Sequence, residues 1–212
     1  MKNIKEKTNN DSIVMCFTKA NPPTIVHYQL FKKVVETANN KKAHSIIFLS
    51  QEYNAQKNPM PWKLKVEYIK EFFSNKIAVC DKEEVQTVKD ALVFLANRNY
   101  KNVYFLTSAA LEPEINKIIE EEKSKEDGLF EFDTIEVVSV GTSDPDLESS
   151  EYTYSPAQAR NAILDDDDEK FKKIVMYKND EQLQQLKTII RSGMGLSERI
   201  KRGTYVFKIL NE

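Results

Sequence analysis

Short unbroken apolar runs alternate along the chain with longer amphipathic ones. "SIVMCF" (12–17) predicts a buried strand, and "TIVHYQLFKKVVETANN" (24–40) a helix with Ile25, Leu30, Val34 and Ala38 near one face. "HSIIFLS" (44–50) predicts a second strand, and "PWKLKVEYIKEFFSN" (61–75) a helix opened by Pro61, a residue suited to a first turn. "KIAVC" (76–80) is a third strand, followed by a helix over 83–99 with acidic residues in its first turn, where they suit the helix dipole. "NVYFLTS" (102–108), a helix over 111–125 and "DTIEVVSVG" (133–141) complete the repeat.

Strands that read as continuous apolar runs, separated by helices, predict an α/β fold with a mainly parallel five-stranded sheet, doubly wound and covered on both faces. "GTSDPDLESSEYTY" (141–154) reads as a polar loop. "SPAQARNAI" (155–163) reads as a short helix with Ser155 as N-cap and Pro156 at its first position. Two further helices, ending near Gly193 and Gly195, are expected to pack on one end of the sheet or to form a homo-oligomer contact, and "TYVFKIL" (204–210) reads as an added edge strand. The implied organisation is a flexible lead-in over 1–11, an α/β domain over 12–164 and a C-terminal helical extension over 165–212.

Composition narrows the picture. Of 212 residues, 41% are hydrophobic and 30% charged, enough apolar material for a core and too much for a disordered chain. The formal net charge of −2 provides no global field for nucleic acid or an anionic membrane. No run of about 18 apolar residues predicts a membrane span, and "MKNIKEKTNND" lacks the apolar region of a secretory signal. Cys16 and Cys80 sit in apolar strand runs and read as small buried hydrophobes of a reducing, cytoplasmic compartment.

In open α/β sheets ligands bind beyond the carboxyl ends of the strands, near the point where strand order reverses. The first strand–loop–helix junction is "FTKANPPTIVH" (17–27), which is neither GxxxxGK[ST] nor GxGxxG. A loop so poor in glycine needs side chains to hold a phosphate. Thr24 and His27 are three apart and share a face at a helix N-terminus, where unpaired amides and the dipole favour an anion. Lys19 adds charge, Pro22 and Pro23 stiffen the backbone, and Asn21 can tie the loop to itself.

"NPPTIVH" after an apolar strand resembles the (H/T)xGH signature of the nucleotidyltransferase superfamily, which has a Rossmann-like fold. "YSPAQARNAI" stands where that superfamily has an ISSTxxR-like motif, with Ser155 and Arg160 matching its ends. "QKNPMPWKLKVEYIKEFF" and "VGTSDPD" look like segments of phage-type and nicotinamide-mononucleotide adenylyltransferase-like members, so the resemblance runs from about Ile13 to Phe171. It implies transfer of a nucleotidyl group, by preference adenylyl from ATP, to a small phosphorylated acceptor with loss of pyrophosphate. A phage-infected host cell would be one setting. Thr24, His27, Lys19 and Arg160 would act on the phosphates; Thr18, Asn21, Ser155, Ala157 and Gln158 would line the nucleotide. Mg²⁺ would arrive on the triphosphate, with no dedicated protein metal site.

The chain also departs from the family pattern. Thr18 and Val26 replace glycines, Ala109 and Ala110 replace charged residues after the fourth strand, and Ser143, Ala157 and Gln158 stand where relatives carry arginine, a hydroxyl residue and lysine. Those losses define a second reading, a catalytically degenerate relative serving as a nucleotide-binding, scaffolding or virion component. A third is a doubly wound binding domain whose motif match is accidental; it predicts Arg160 far from His27. Elsewhere structural roles are expected. His44 reads as a surface residue, Lys63 and Lys65 as a solvated helix face, and Trp62 as core or helix cover rather than a base platform. Asn58 and Pro59 shape a loop, and Asp144 and Asp146 order one. "DDDD" (165–168) caps a helix, "EEEKSKED" (120–127) is a solvated helix end, and Arg98, Arg191, Arg199 and Arg202 are scattered.

Overall fold

The apolar runs become parallel strands: β1 Ser12–Thr18, β2 His44–Leu49, β3 Ala78–Val79, β4 Asn102–Thr107 and β5 Thr134–Ser139. They pair in the order β3-β2-β1-β4-β5 in a computed structural model that describes residues 11–74, 77–125, 127–140 and 154–196. Residues 1–10, the loop positions 141–153 with Ser143, Asp144 and Asp146, the strand expected at 204–210, and Arg199 and Arg202 lie outside the described residues.

Seven described helices surround the sheet: α1 Ile25–Lys41, α2 Trp62–Phe72, α3 Val88–Ala96, α4 Glu112–Lys123, α5 Pro156–Leu164, α6 Asp168–Ile174 and α7 Asp180–Gly193. The period of two along β1 sends Val14 and Cys16 into one core, with Phe31, Ile69, Ala159 and Ile190, and Ile13 and Met15 into another, with Leu92, Leu95 and Ile119. Thus α1, α2 and α5–α7 cover one face and α3 and α4 the other. The result is the expected Rossmann-like, doubly wound α/β fold. Cys16 and Cys80 are free and buried, and no described helix is long and apolar enough to cross a membrane.

Sequence and structure part at several element ends. The helix expected from residue 83 starts only at Val88, behind a Thr87–Asp90 capping box. Gln51 explains the delay: its side-chain amide donates to the carbonyls of Lys82, Glu83 and Val85, which a helix would have used for itself. β3, at the sheet edge, is shorter than its apolar run. The acidic run around α6 caps as expected, with Asp167 accepting from the Lys170 amide at 2.9 Å, while Asp166 and Asp168 pair with Arg191 and Lys187. "EEEKSKED" is not wholly solvated. Glu122 is 3% exposed and binds Lys89 at 2.7 Å and Lys125, tying α4 to α3. The last helices share the sheet's core through Phe171, Ile174, Leu186 and Ile190.

Candidate functional site

The loop from Thr18 to Thr24 lies at the carboxyl end of the central strand, and its shape is imposed from three sides. Asn21, 1% exposed, donates to the Met60 carbonyl (3.0 Å) and accepts from the Met60 amide (2.9 Å), tying the loop to the approach of α2. Arg160 of α5 donates from Nη1 to the Asn21 carbonyl at 2.7 Å. Thr24 forms an isolated bridge with Val175, and the Met176 amide donates to the Pro23 carbonyl at 3.3 Å. The Asn21–Pro22 peptide is cis, and Ala20 takes a left-handed conformation with φ 40°.

The opening of α1 orients its histidine. The backbone amide of Thr24 donates to His27 Nδ1 at 3.1 Å, and Thr24 Oγ1 lies 2.8 Å from the same nitrogen. A backbone amide can only donate, so Nδ1 accepts and the proton of the neutral ring sits on Nε2. Desolvation, aided by the positive charge of Lys65, pushes the imidazole pKa down to about 4. His27 is therefore a neutral ring near pH 7, with one N–H to offer. Thr24 itself is fully buried, so its hydroxyl serves this orientation.

A second helix start faces the first. Ser155 and Gln158 form a capping box: Gln158 Oε1 accepts from the Ser155 amide at 2.7 Å, and Ser155 Oγ from the Gln158 amide at 3.3 Å. Ala157 is exposed beside them. Between the two starts lies a cavity of about 580 Å³, lined by Phe17, Thr18, Thr24, His27, Ser155 and Pro156 among others. Lys32 and Lys33 stand on its α1 wall with Glu36, the single carboxylate among its described lining residues. Lys32 pairs with Glu36 at 3.7 Å, and Lys33 has no carboxylate partner among the described residues.

A second cavity, about 850 Å³, opens on the other face of the sheet. It runs from Lys19, Ser50 and Glu52 to Thr87 and Lys89 at the start of α3, with α4 as its far wall. The two cavities share Phe17, Thr18 and Leu111 in their linings, so both border the end of β1 beside β4. That is where the strand order reverses, the place for ligands in open α/β sheets.

The residues proposed from sequence thus gather at one end of the sheet, in different roles. Thr18, Thr24, His27 and Ser155 line the first cavity. Lys19 lines the second and pairs with Glu52 at 2.9 Å. Asn21 is used by Met60, and Arg160 contacts the loop without lining either cavity. The residue misread is Lys65. It is 1% exposed instead of solvated, and its ammonium donates to the carbonyls of Lys19 (2.8 Å) and Ser50 (2.6 Å). Burial, only partly offset by Glu52, pushes its pKa down to about 8, and Lys19 adds to the fall. A signal was present in the helix phase: Lys65 lies four residues before buried Ile69 on the inward stripe of α2. Lys63 points outward to Glu83 at 2.9 Å, Trp62 packs against the core, and His44 Nδ1 lies 2.8 Å from the Tyr100 hydroxyl. No three His, Cys, Asp or Glu side chains cluster as a metal site among the described residues. No family model matches the chain, and no curated protein matches it.

Proposed function

We propose that the protein is a nucleotidyltransferase that passes an adenylyl group from ATP to a small phosphorylated acceptor and releases pyrophosphate. The observation that carries this reading is that two cavities border the same residues, Phe17 and Thr18, one of them lined by His27 and the start of α5. Two reactants that exchange a phosphoryl centre need two adjoining compartments with the reacting atoms at their junction. The triphosphate occupies the first cavity, between two helix starts whose dipoles suit an anion. The acceptor occupies the second, and nicotinamide mononucleotide is one candidate.

An acceptor phosphate oxygen attacks the α-phosphorus in line. The new P–O bond forms as the bond from the α-phosphorus to the bridging oxygen breaks, and pyrophosphate leaves with that electron pair. No covalent enzyme intermediate is needed, so the protein's task is positioning and charge stabilisation. Neutral His27 donates its Nε2–H to a phosphate oxygen as charge develops. Lys32 and Lys33 supply cations on the α1 wall of the cavity, and Arg160 acts behind it, holding the loop through the Asn21 carbonyl. Among the described residues the lining offers hydroxyls and one carboxylate, Glu36, and on this reading Mg²⁺ would be carried by the triphosphate. Bound that way, it would neutralise phosphate charge.

One set of observations favours a degenerate relative that binds nucleotide without turnover. Lys19 is paired with Glu52 and Arg160 is engaged on the loop, so both cations of the family-like motifs serve the scaffold. Pyrophosphate release, measured with ATP or CTP and a panel of phosphorylated acceptors, separates the two. Transfer predicts turnover that falls about 10²–10³-fold in His27→Ala, the loss typical of one oxyanion donor. ATP binding without release supports the degenerate reading, and no nucleotide binding at all contradicts both.

A further inference from the structure

Among the described residues, every polar side chain that is buried makes a hydrogen bond, with one exception. Asn21 binds Met60, Ser50 accepts from the Glu52 amide at 3.2 Å, and Glu122 holds two lysines. Thr107, the last residue of β4, is 2% exposed, and its hydroxyl has no hydrogen-bond partner among the described residues. An unpaired buried hydroxyl costs free energy, and few native groups are left so without a use. The main chain at this position is committed: the Thr107 carbonyl accepts from the Val140 amide at 2.6 Å, and Thr107 stands opposite Ser139 in the β4–β5 ladder. The side chain is therefore the only uncommitted part of a residue fixed on a rigid element.

Its oxygen is not sealed in. It keeps a small accessible surface, and the space that Thr107 lines is the first cavity. Val103 and Phe105 pack into the core under α3 and α4, so a period of two turns Thr107 to the side of Phe17, which packs there too. Phe17 and Leu111 line the first cavity with Thr107 and also border the second. The first cavity thus holds two donors without a partner among the described residues, the Thr107 hydroxyl and the Nε2–H of His27. The second of these can only donate, and Lys32 and Lys33 add positive charge to the same lining, where the single carboxylate, Glu36, is paired with Lys32 at 3.7 Å. The group that complements this set is an anionic oxygen acceptor.

We propose that Thr107 is a ligand-binding residue of the first cavity, its hydroxyl donating to a phosphate oxygen of the bound nucleotide on the side shared with the second cavity. The identity of the ligand as a nucleoside triphosphate rests on the nucleotidyltransferase reading; the uncommitted hydroxyl does not. Presented from a strand end instead of a loop, the donor is held in place before the ligand arrives.

The test is calorimetric titration of Mg²⁺–ATP into the wild type, Thr107→Val and Thr107→Ser, with thermal unfolding of each protein alone. Thr107→Val exchanges the hydroxyl for a methyl group of similar size. It is expected to weaken ATP binding about 10- to 100-fold, the loss of a hydrogen bond to a charged group, and to unfold at or above the wild-type midpoint, because no hydrogen bond within the protein is lost. Thr107→Ser keeps the donor and keeps the affinity. ATP bound as tightly by Thr107→Val as by the wild type overturns the proposal. So does a Thr107→Val midpoint several degrees lower, which would make the hydroxyl a structural group, and so does a Thr107→Ser affinity as weak as that of Thr107→Val. Pyrophosphate release measured on the same proteins separates the two readings. Binding that depends on the hydroxyl without release keeps Thr107 and removes transfer. Release undiminished in Thr107→Val keeps transfer and removes Thr107, and a wild type that binds no ATP removes both.

Discussion

His27 pays nothing to stay neutral and a great deal to become charged, which ties the stability of the protein to acid pH. Its folded pKa of about 4 lies below the ordinary 6.5, so between those values the unfolded chain binds more protons than the folded one. The contribution is whole above pH 6.5 and declines as the pH falls toward 4. With allowance for the ring's partial exposure the loss is about 2 kcal/mol. Urea unfolding of wild type and His27→Gln across that window should give curves that converge on acidification. Parallel curves would mean the imidazole is not held neutral. At this scale the sequence was informative where chemistry is local. Thr24 and His27, three apart at a helix start, could be paired on paper, as could Ser155 and Gln158. It was uninformative where a partner is distant. Asn21 faces Met60, and Lys65 faces Lys19 and Ser50, across contacts that no local spacing encodes.

Among the elements, the helices with complete end signals were the easiest to read. α5 begins with Ser155 and Pro156 as the sequence implied, whereas α3 yields its first turn to the carbonyls held by Gln51. The C-terminal helices were legible as helices, but not as part of the site's foundation. Through Val175 and Met176 they brace the loop at Pro23 and Thr24, and α7 ends against the approach to α2. There Gly193 is required by space: a Cβ would lie 1.8 Å from the Pro59 carbonyl oxygen. Gly193→Ala must push α7 away from Pro59, next to the Met60 that holds Asn21. A loss of about 1–3 kcal/mol is expected, as for other overpacked contacts. Thermal unfolding with the same stability as wild type would show that α7 is free to shift.

Across the whole molecule, parallel pairing places every strand's carboxyl end on one side, and the switch in order between β1 and β4 leaves room there on both faces of the sheet. The chain fills those spaces with unlike walls: two helix starts and His27 on one face, and α3 and α4 with Lys19, Lys89 and Glu52 on the other. Segments separated by 139 positions, Asn21 and Arg160, touch at 2.7 Å, so the first loop and α5 adjoin. The central claim is that the space between the starts of α1 and α5 receives a nucleoside triphosphate. Titrating Mg²⁺–ATP into the wild-type protein while following both histidine ring signals tests it most directly. The account predicts a saturable shift of His27 with His44 unmoved; a His27 signal unchanged at millimolar ATP, or a shift of His44 alone, would contradict it.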